Sequence, residues 1–349
     1  MDVAERAGVS PATVSRSLRG LPKVSPETRQ RVLDAAHELS YVTSLQAAGP
    51  AAGSHRSVAV IVPFITRWFF STVTAGAVDF LRLHGYDAVL YHLGSPDVRD
   101  HFFERIPLDP RAEGILTLSM PLTEEHTLAL RALDLPLVSV GTTVPGSPSV
   151  GIDESAAASS AVNHLLHLKH ERIGFIAGEA DDPRFDFVSS VGRRRGYEQA
   201  LRAAGLAVDE RLVATGPHGL AGGAAAMTEL LSRSIMPTAV FAEYDELAIG
   251  ALWALRRSGL EVPSDVSMVG IDDHEMATML DLTTVAQSIA TQGEVAAQLL
   301  LQILRGEAGD TPTEPVLLPT RLVLRGTTSP PLSTRSTPRR RVPRVDKGL

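Results

Sequence analysis

Residues 2–41 read DVAERAGVSPATVSRSLRGLPKVSPETRQRVLDAAHELSY, and this stretch decides how the chain begins. It predicts a first helix that ends at Gly8, because a left-handed backbone at a helix end favours glycine. A serine followed by a proline is typical of a helix start, and this pair occurs at Ser10 and again at Ser25. Three helices in about forty residues, with a tight turn between the first two, indicate a helix-turn-helix head that reads DNA.

The outward face of the second helix is predicted to enter the major groove. Arg16 is of the residue type that reads guanine with two hydrogen bonds, whereas Pro11 and Ala12 offer only apolar contact, for instance to a thymine methyl group. Two alternatives stay open: Arg16 forms a surface salt bridge, or the stretch is some other small three-helix bundle. Hydroxyl groups and one further cation suited to phosphate oxygens are expected at Ser10, Thr13, Ser15, Arg19, Ser25 and Thr28.

The composition limits the class of protein. The chain has 349 residues, of which 44% are hydrophobic and 21% charged, as in an ordinary soluble protein with more than one domain. It contains no cysteine, which excludes disulfides and thiolate metal sites. No apolar run approaches the length of a membrane span, and no secretion leader precedes the head. We therefore expect a cytoplasmic protein with no membrane partner, no bound metal and no cofactor.

The net charge of −7 is unevenly distributed along the chain. Residues 1–56 have a balance of +2 and residues 330–349 a balance of +5, which leaves −14 for the segment between them. An acidic body repels nucleic acid, so contact with DNA is expected only in the head. The basic tail is rich in proline, serine and arginine without apolar periodicity, which predicts disorder.

From residue 56 onward, short apolar runs alternate with helical patterns. Val58–Val62 and Ala239–Ala242 are typical of buried strands, and Glu154–Leu168 and Glu246–Ser258 of the helices between such strands. Repeated alternation predicts parallel sheets with helices on both faces, and about 270 residues are too many for one such sheet. The predicted fold class is therefore α/β, with an N-terminal three-helix head followed by two lobes of doubly wound parallel sheet.

In doubly wound sheets, ligands bind beyond the carboxyl ends of the strands, so the residues there are candidates for a site. Carboxylates accept hydrogen bonds from vicinal hydroxyl groups, a guanidinium donates them, and an aromatic face packs on C–H groups, which together suit a polyhydroxylated ligand. The alternative for each aspartate is a helix cap, and for the aromatic residues it is the core. The candidates are Arg67, Trp68, Phe69, Phe70, Asp153, Arg193, Tyr244, Asp245 and Asp272.

The whole pattern resembles the lactose-repressor (LacI/GalR) family of bacterial transcription regulators. The matching segments are DVAERAGVS (2–10), TVSR (13–16) and VSPETRQRVLDAA (24–36) in the head, then VAVIVP (58–63), RRRGY (193–197) and VPSDVSMVGIDD (262–273) in the body. The resemblance implies an effector-binding core similar to periplasmic sugar-binding proteins, and base reading by Pro11, Ala12 and Arg16. The family usually has more residues before the DVA run, including a helix cap, whereas Met1 directly precedes Asp2 here. Two alternatives stay open: the given start lies inside a longer gene product, or the first helix is weakly capped.

The resemblance also implies an effector pocket. Its lining would include Arg193, Asp245, Asp272 and the pair Phe69–Phe70, while His218 takes the place of a frequent pocket aromatic and Gln287 lies on a segment that passes between the lobes. The chain departs from the family pattern at Arg67-Trp68, where Asn-Pro is common, and at Tyr244, where many members have asparagine. We therefore expect a bulkier cleft with an extra cation, for a hexose, an acidic sugar or a charged metabolite.

A hinge helix that kinks DNA with a leucine wedge is a further family feature. The leucine position is occupied by Pro50, counted from Tyr41, and Gly49-Pro50 opposes a continuous helix. Both Tyr41 and Pro50 are predicted DNA contacts. The hinge is predicted to be disordered without DNA and to kink the DNA less than, or differently from, the usual family hinge. The predicted domains are residues 1–40 (head), 41–56 (hinge), 57–157 and 288–314 (first lobe), 158–287 and 315–329 (second lobe), and 330–349 (tail).

These observations predict an effector-responsive transcription regulator, acting as a repressor. Its expected partners are a palindromic double-stranded DNA operator, a carbohydrate-like small molecule and a second copy of the chain, since one head buries too little surface to be selective. A solute-binding protein without a DNA role fits the two lobes but leaves the head unexplained. An enzyme is disfavoured, because the chain has no G-x-S-x-G, H-E-x-x-H or Walker-type motif.

Overall fold

The computed structural model describes residues 3–18, 21–39, 56–120, 122–179, 188–307 and 314–332. The chain forms two compact units, residues 1–56 and 57–349. The predicted DNA contacts Arg19, Tyr41 and Pro50 lie outside the described residues, as does the predicted tail beyond Leu332. No helix in the described part of the chain is both long enough and apolar enough to cross a membrane.

The first unit is a three-helix head, as the sequence predicts. Its helices are α1 (Val3–Ala7), α2 (Pro11–Leu18) and α3 (Pro26–Glu38), and they enclose a small core that includes Val3, Val14 and Val32. Gly8 adopts a φ of +64° in the turn between α1 and α2, where a side chain would be strained. The Oγ atoms of Ser10 and Ser25 each accept a hydrogen bond from a backbone N–H three residues on, at 3.2 Å, and so cap α2 and α3.

The second unit contains two six-stranded sheets with helices between the strands, which confirms the predicted α/β class. Its strands are β1 (Arg56–Val62), β2 (Tyr86–His92), β3 (Ala112–Leu118), β4 (Leu137–Val140), β5 (Ser149–Gly151), β6 (Ile173–Gly178), β7 (Val213–Gly216), β8 (Ala239–Ala242), β9 (Ser267–Asp272), β10 (Thr283–Gln287), β11 (Val316–Leu317) and β12 (Thr320–Val323). Its helices are α4 (Trp68–Leu83), α5 (Pro96–Arg105), α6 (Glu124–Arg131), α7 (Glu154–His167), α8 (Val188–Ala203), α9 (Leu220–Ser232), α10 (Asp245–Arg257) and α11 (Ile289–Leu304).

The first sheet has the order β2-β1-β3-β4-β5-β11, and its pairs from β1 to β11 are parallel. Successive residues of a strand point to opposite faces, and β1 shows this directly. Val58 and Val60 pack with α4 and α11, whereas Ala59 and Ile61 pack with α5 and α6. Helices therefore cover both faces of the sheet, so a ligand site is expected at the carboxyl ends of the strands.

The second sheet has the order β7-β6-β8-β9-β10-β12, in which β12 alone of the described strands is antiparallel to its neighbour. Val240 and Ala242 of β8 pack with α9 and α10, whereas Ala239 and Phe241 pack with α7 and α8. The layering of the first sheet is thus repeated in the second.

Helices α4 and α11 cross at backbone distance. A Cβ atom built on Gly76 would lie 2.0 Å from the carbonyl oxygen of Ala290, and one built on Gly293 would lie 2.0 Å from that of Val73. Only glycine fits at both positions, so the two helices behave as one packed pair.

The chain passes between the two sheets after β5, after β10 and after β11. The strand Val316–Leu317 pairs with β5 of the first sheet, and only β12 joins the second. The last crossing therefore falls after Leu317 rather than at residue 315 as predicted, because two apolar residues extend the edge of the first sheet before the chain leaves it.

Candidate functional site

The exposed face of α2 is the candidate surface for DNA. Pro11, Ala12 and Arg16 are all exposed on this helix, as predicted for residues that meet base edges. The hydroxyl groups of Thr13 and Thr28 contact the capping oxygens of Ser10 and Ser25 at 3.0 and 2.9 Å. These four side chains order the helix ends, and Ser15 is half-buried on α2.

A cleft between the two sheets is the candidate ligand site. Its cavity has a volume of about 70 Å³ and lies beyond the carboxyl ends of strands in both sheets, where the topology predicts a site. Residues of β1–α4, β3, α8 and the ends of β7, β8 and β9 line it. The lining residues are Arg67, Phe69, Phe70, Ser119, Ser189, Ser190, Arg193, His218, Glu243, Tyr244, Glu246 and Asp272.

Arg193 on α8 is the centre of the polar wall. Its side chain is buried, and Nε donates to Oε2 of Glu154 at 2.7 Å while Nη1 donates to the carbonyl oxygen of Glu243 at 2.8 Å. Its Nη2 lies 3.8 Å from Oδ1 of Asp272. Burial alone would lower the pKa of Arg193, but Glu154 and Asp272 raise it above its usual value, so the guanidinium is permanently charged.

Asp272 ends β9 and faces the same cavity. Its Oδ1 accepts from Nε2 of Gln287 at 2.6 Å, and Oε1 of Gln287 accepts from Nε2 of Gln292 at 2.7 Å. This hydrogen-bond chain follows the crossing from β10 into α11, so it links the cleft to the α4–α11 pair. Asp272 has a φ of +130° and Asp273 a φ of +60°, which marks a strained backbone of the kind that clusters at functional sites.

Asp245 was predicted to line the pocket, but it lies behind the wall. Its Oδ2 accepts from the backbone N–H of His274 at 2.9 Å, and its Oδ1 accepts from Oγ1 of Thr284 at 2.7 Å. Burial and the nearby Asp272 raise the pKa of Asp245 well above its ordinary value. Asp245 and Gln287 therefore position the β9 end from behind and do not themselves line the cavity.

Two residues of the first lobe contact the second lobe beside the cleft. The ring of Trp68 lies 4.5 Å from that of His274, and the backbone N–H of Trp68 donates to Glu246. Arg67 interacts electrostatically with Glu246, and its guanidinium lies 3.5 Å from the centre of the Phe64 ring. These contacts join the two lobes, and Trp68 is not among the residues that line the cavity.

Aromatic residues form the remaining walls. Phe70 is buried in the core of the first lobe while Phe69 is half-buried, with their rings edge to face at 5.3 Å. On the other side, the hydroxyl oxygen of Tyr244 lies 2.8 Å from Nδ1 of His218 and accepts from the N–H of Gly219. Burial and Glu243 raise the pKa of Tyr244, so this hydroxyl stays neutral.

Asp153 takes the capping role that its sequence position left open. It is exposed, and its side chain accepts from the N–H of Ala156 at 2.9 Å, at the start of α7. The next residue, Glu154, supplies the partner of Arg193 instead.

The sequence reasoning missed several charged and hydroxyl residues at the site. Glu243 is buried, with its carboxylate held by the N–H of Gly178 at 2.9 Å and by Oγ of Ser190 at 2.5 Å. Burial raises the pKa of Glu246, whereas Arg67 and the hydrogen bond from the Trp68 N–H act to lower it. The signal for both was present, because they flank the Tyr244-Asp245 pair at the end of β8. The missed lining residues are Ser119, Ser189, Ser190, Glu243 and Glu246.

We expect the stability of this protein to fall as the pH rises from about 4 to about 7. Burial raises the pKa of Asp272 to about 7 from its ordinary 3.8, so the folded state binds more protons than the unfolded state in this window. Asp272→Asn should flatten the dependence by on the order of 2 kcal/mol between pH 5 and pH 8. Urea unfolding at pH 5 and pH 8 measures the change in the free energy of unfolding, and the exposed Asp79→Asn serves as the control. An unchanged slope in Asp272→Asn contradicts the assignment.

Comparisons with known proteins agree with this architecture. A model for bacterial regulatory proteins of the lacI family matches residues 1–44, and a periplasmic binding protein-like domain matches residues 162–328. The HTH-type transcriptional repressor CytR of Escherichia coli (strain K12) is 35% identical over 331 residues, which cover 94% of this chain and 95% of the relative.

Two solved structures extend the similarity to three dimensions. A complex of the transcriptional regulator CelR with cellobiose has 32% identity and a TM-score of 0.69, covering 93% of this chain and 98% of the other. A lac repressor dimer bound to operator and the anti-inducer ONPF has 27% identity and a TM-score of 0.73, covering 94% and 98%. The similarity thus extends along nearly the whole chain, which belongs to the lacI family of bacterial regulatory proteins.

Proposed function

We propose that this protein is a transcription repressor that binds a palindromic operator as a homodimer and changes its operator affinity when a small molecule enters the cleft. One observation carries the proposal: the same chain holds a three-helix head with Pro11, Ala12 and Arg16 exposed on α2 and a cleft lined from two sheets. A solute-binding protein without a DNA role would have no use for the head. DNA as a partner implies action in the cytoplasm.

The relatives support each part of this proposal. The related lac repressor structure holds operator and an anti-inducer together, and the related CelR structure holds cellobiose. Binding rather than turnover is the role proposed here, so the protein is expected to have no catalytic activity of its own.

The proposed effector contacts follow the geometry of the cleft. The side chains proposed to touch the ligand are Arg67, Phe69, Phe70, Arg193, His218, Tyr244, Glu246 and Asp272. Trp68 is proposed to hold the lobes together beside the cleft, while Asp245 and Gln287 keep the strained β9 end in place. In the hinge, Tyr41 and Pro50 remain proposed DNA contacts.

Regulation requires that the ligand bind one arrangement of the lobes more tightly than another. The cleft is lined from both sheets, so ligand contacts with both walls depend on lobe closure. A closed arrangement that differs from the open one in operator affinity then couples the two sites.

The test is a binding-site selection with the full-length protein and random duplex DNA, followed by titration of the selected duplex with and without candidate sugars. A palindromic consensus is expected, together with an operator affinity that at least one ligand changes. Recovery of random sequences with no preference, in the presence or absence of ligand, would refute the proposal.

Arg16→Ala is expected to relax the preference at one base pair in each half-site. A bidentate arginine–guanine contact accounts for about 1–3 kcal/mol of discrimination, so the consensus should lose that position while the rest is retained. Repeating the selection with this variant measures the effect. Arg31→Ala, exposed on α3, serves as the control and should keep the consensus. An unaltered consensus for Arg16→Ala contradicts a base-reading role.

A further inference from the structure

The balance of charge in the cleft points to the chemical class of the ligand. Among the described residues, three carboxylates and two guanidinium groups line the cavity. Glu154 stands directly behind Arg193 at 2.7 Å, and Asp245 interacts electrostatically with Asp272. Five acidic side chains thus surround the cleft against two permanent cations, so full ionisation of the wall would leave an excess of negative charge.

The two cations are already engaged by protein groups. Arg193 directs Nε to Glu154, Nη1 to the carbonyl oxygen of Glu243, and Nη2 towards Asp272. Arg67 interacts with Glu246 and stacks on Phe64. Neither guanidinium is therefore an uncommitted receptor for an anionic ligand, which would meet the surplus carboxylates as well.

Beside the two guanidinium groups, neutral donors also hold the carboxylates that line the cavity. Glu243 accepts from a backbone N–H and a serine hydroxyl, Asp272 from the amide of Gln287, and Glu246 from the Trp68 N–H. In a site removed from water, a neutral donor compensates a carboxylate less than a cation does. A positive charge on the ligand would complete this compensation.

We propose that the effector is a small hydroxylated amine, of the amino-sugar class, whose ammonium group is directed at the carboxylates of Glu246 and Asp272. The inference rests on the function proposed above and narrows its ligand. Ser119 and Ser189 line the same cavity, and hydroxyl side chains suit the ligand's hydroxyl groups. The aromatic residues Phe69 and Tyr244 also line it and suit the ligand's ring and its charge.

The protonation of the cleft agrees with this assignment. Burial raises the pKa of Asp272 to about 7 and also raises the pKa of Glu246, so protons take up part of the missing positive charge. An ammonium group that replaces those protons binds less well as the pH falls. A neutral sugar has no such requirement.

The test uses matched ligand series with the full-length protein. D-glucosamine, D-glucose and D-glucuronate form one series, and the glucosamine β-1,4-dimer, cellobiose and cellobionate form the other. Thermal shift and calorimetry at pH 7 should show that the amine of at least one series binds at least tenfold more tightly than its neutral and acidic counterparts. The inference is overturned when neither amine binds at least tenfold more tightly than both its neutral and its acidic counterpart.

Glu246→Gln should weaken amine binding at least tenfold and weaken binding of the neutral sugar by a clearly smaller factor. The exposed Glu294→Gln is the matched control and should leave both unchanged. Should Glu246→Gln fail to fold, the wild-type protein still gives a decision, because its amine affinity must fall between pH 7 and pH 5. An amine affinity that is constant over this range overturns the inference.

Operator titrations separate this inference from the function on which it rests. A protein that selects an operator but prefers glucose or glucuronate keeps the regulatory function and refutes the amine. A protein that binds glucosamine but selects no operator refutes the regulatory function.

Discussion

Arg193→Met is expected to lower the free energy of unfolding by about 3–5 kcal/mol and to remove the response to effector. Methionine fills much of the volume of the arginine side chain but leaves the buried carboxylates of Glu154 and Asp272 without their cation. Their side chains are only 17% and 5% exposed, so water cannot replace the lost partner. Breaking a buried ion pair on one side costs more than the pair contributes, since an uncompensated charge remains.

The neighbouring arginine provides a matched control. Arg194 pairs with Glu198 and Glu210, but on a partly exposed surface where such pairs contribute about 1 kcal/mol or less. Urea unfolding of Arg193→Met and Arg194→Met should therefore differ by several kcal/mol. Arg193→Lys, which keeps the charge without the planar fork, should lie between them and respond to ligand weakly. Equal stability of the two methionine variants would contradict the central role of Arg193.

Trp253→Glu is expected to separate the dimer and to weaken operator binding at least about a hundredfold, because each head then binds its half-site alone. Trp253 lies on α10 and lines a groove of about 930 Å³. Its side chain is 58% exposed, and that of Leu220 in the same groove is 49% exposed. Exposed apolar residues that line one groove are typical of an interaction site. A second copy of the chain is the occupant that we propose, in keeping with the homodimer proposed above. The apolar residues of the groove include Leu220, Ile249, Leu252, Trp253, Met276 and Leu280.

Sedimentation analysis over a range of concentrations and operator titration measure the two effects of Trp253→Glu. Leu128→Glu places the same charge on α6, at a residue that is 59% exposed and away from the groove, and should remain dimeric. A Trp253→Glu protein that stays dimeric and binds operator normally would place the subunit contact elsewhere.

The sequence predicted the elements of the fold where the hydrophobic pattern was strong. The strand Ala239–Ala242 was predicted with the bounds that the structure gives, because it is a short apolar run whose residues are all buried. Helix α5 was missed, since only Phe102, Phe103 and Arg99 of PDVRDHFFER are buried and most other positions are charged. Its serine–proline start was a usable signal. Strand β10 was missed because its Thr283-Thr284 pair is polar, although buried.

The types of residue at the site could be predicted from the sequence, but the direction in which each side chain points was harder to predict. Arg193 and Asp272 were recognised as cleft residues, and both line the cavity. Asp245 and Glu246 are adjacent on α10 and point apart by about a quarter turn or more, so only one of them can face the ligand. Hydrogen bonds from His274 and Thr284 turn Asp245 inward, and these partners are far away in sequence. No local pattern contains that information.

The relay from Asp272 through Gln287 to Gln292 ends beside Gly293, at the point where α11 meets α4. The first turn of α4 carries Phe69 and Phe70 back to the opposite side of the same chamber. Both walls of the cleft are therefore mechanically coupled to the same rigid helix pair. To rebuild this protein as a biosensor for a new compound, positions such as Ser119 and Glu246 can be randomised while the residues of this mechanical coupling are kept.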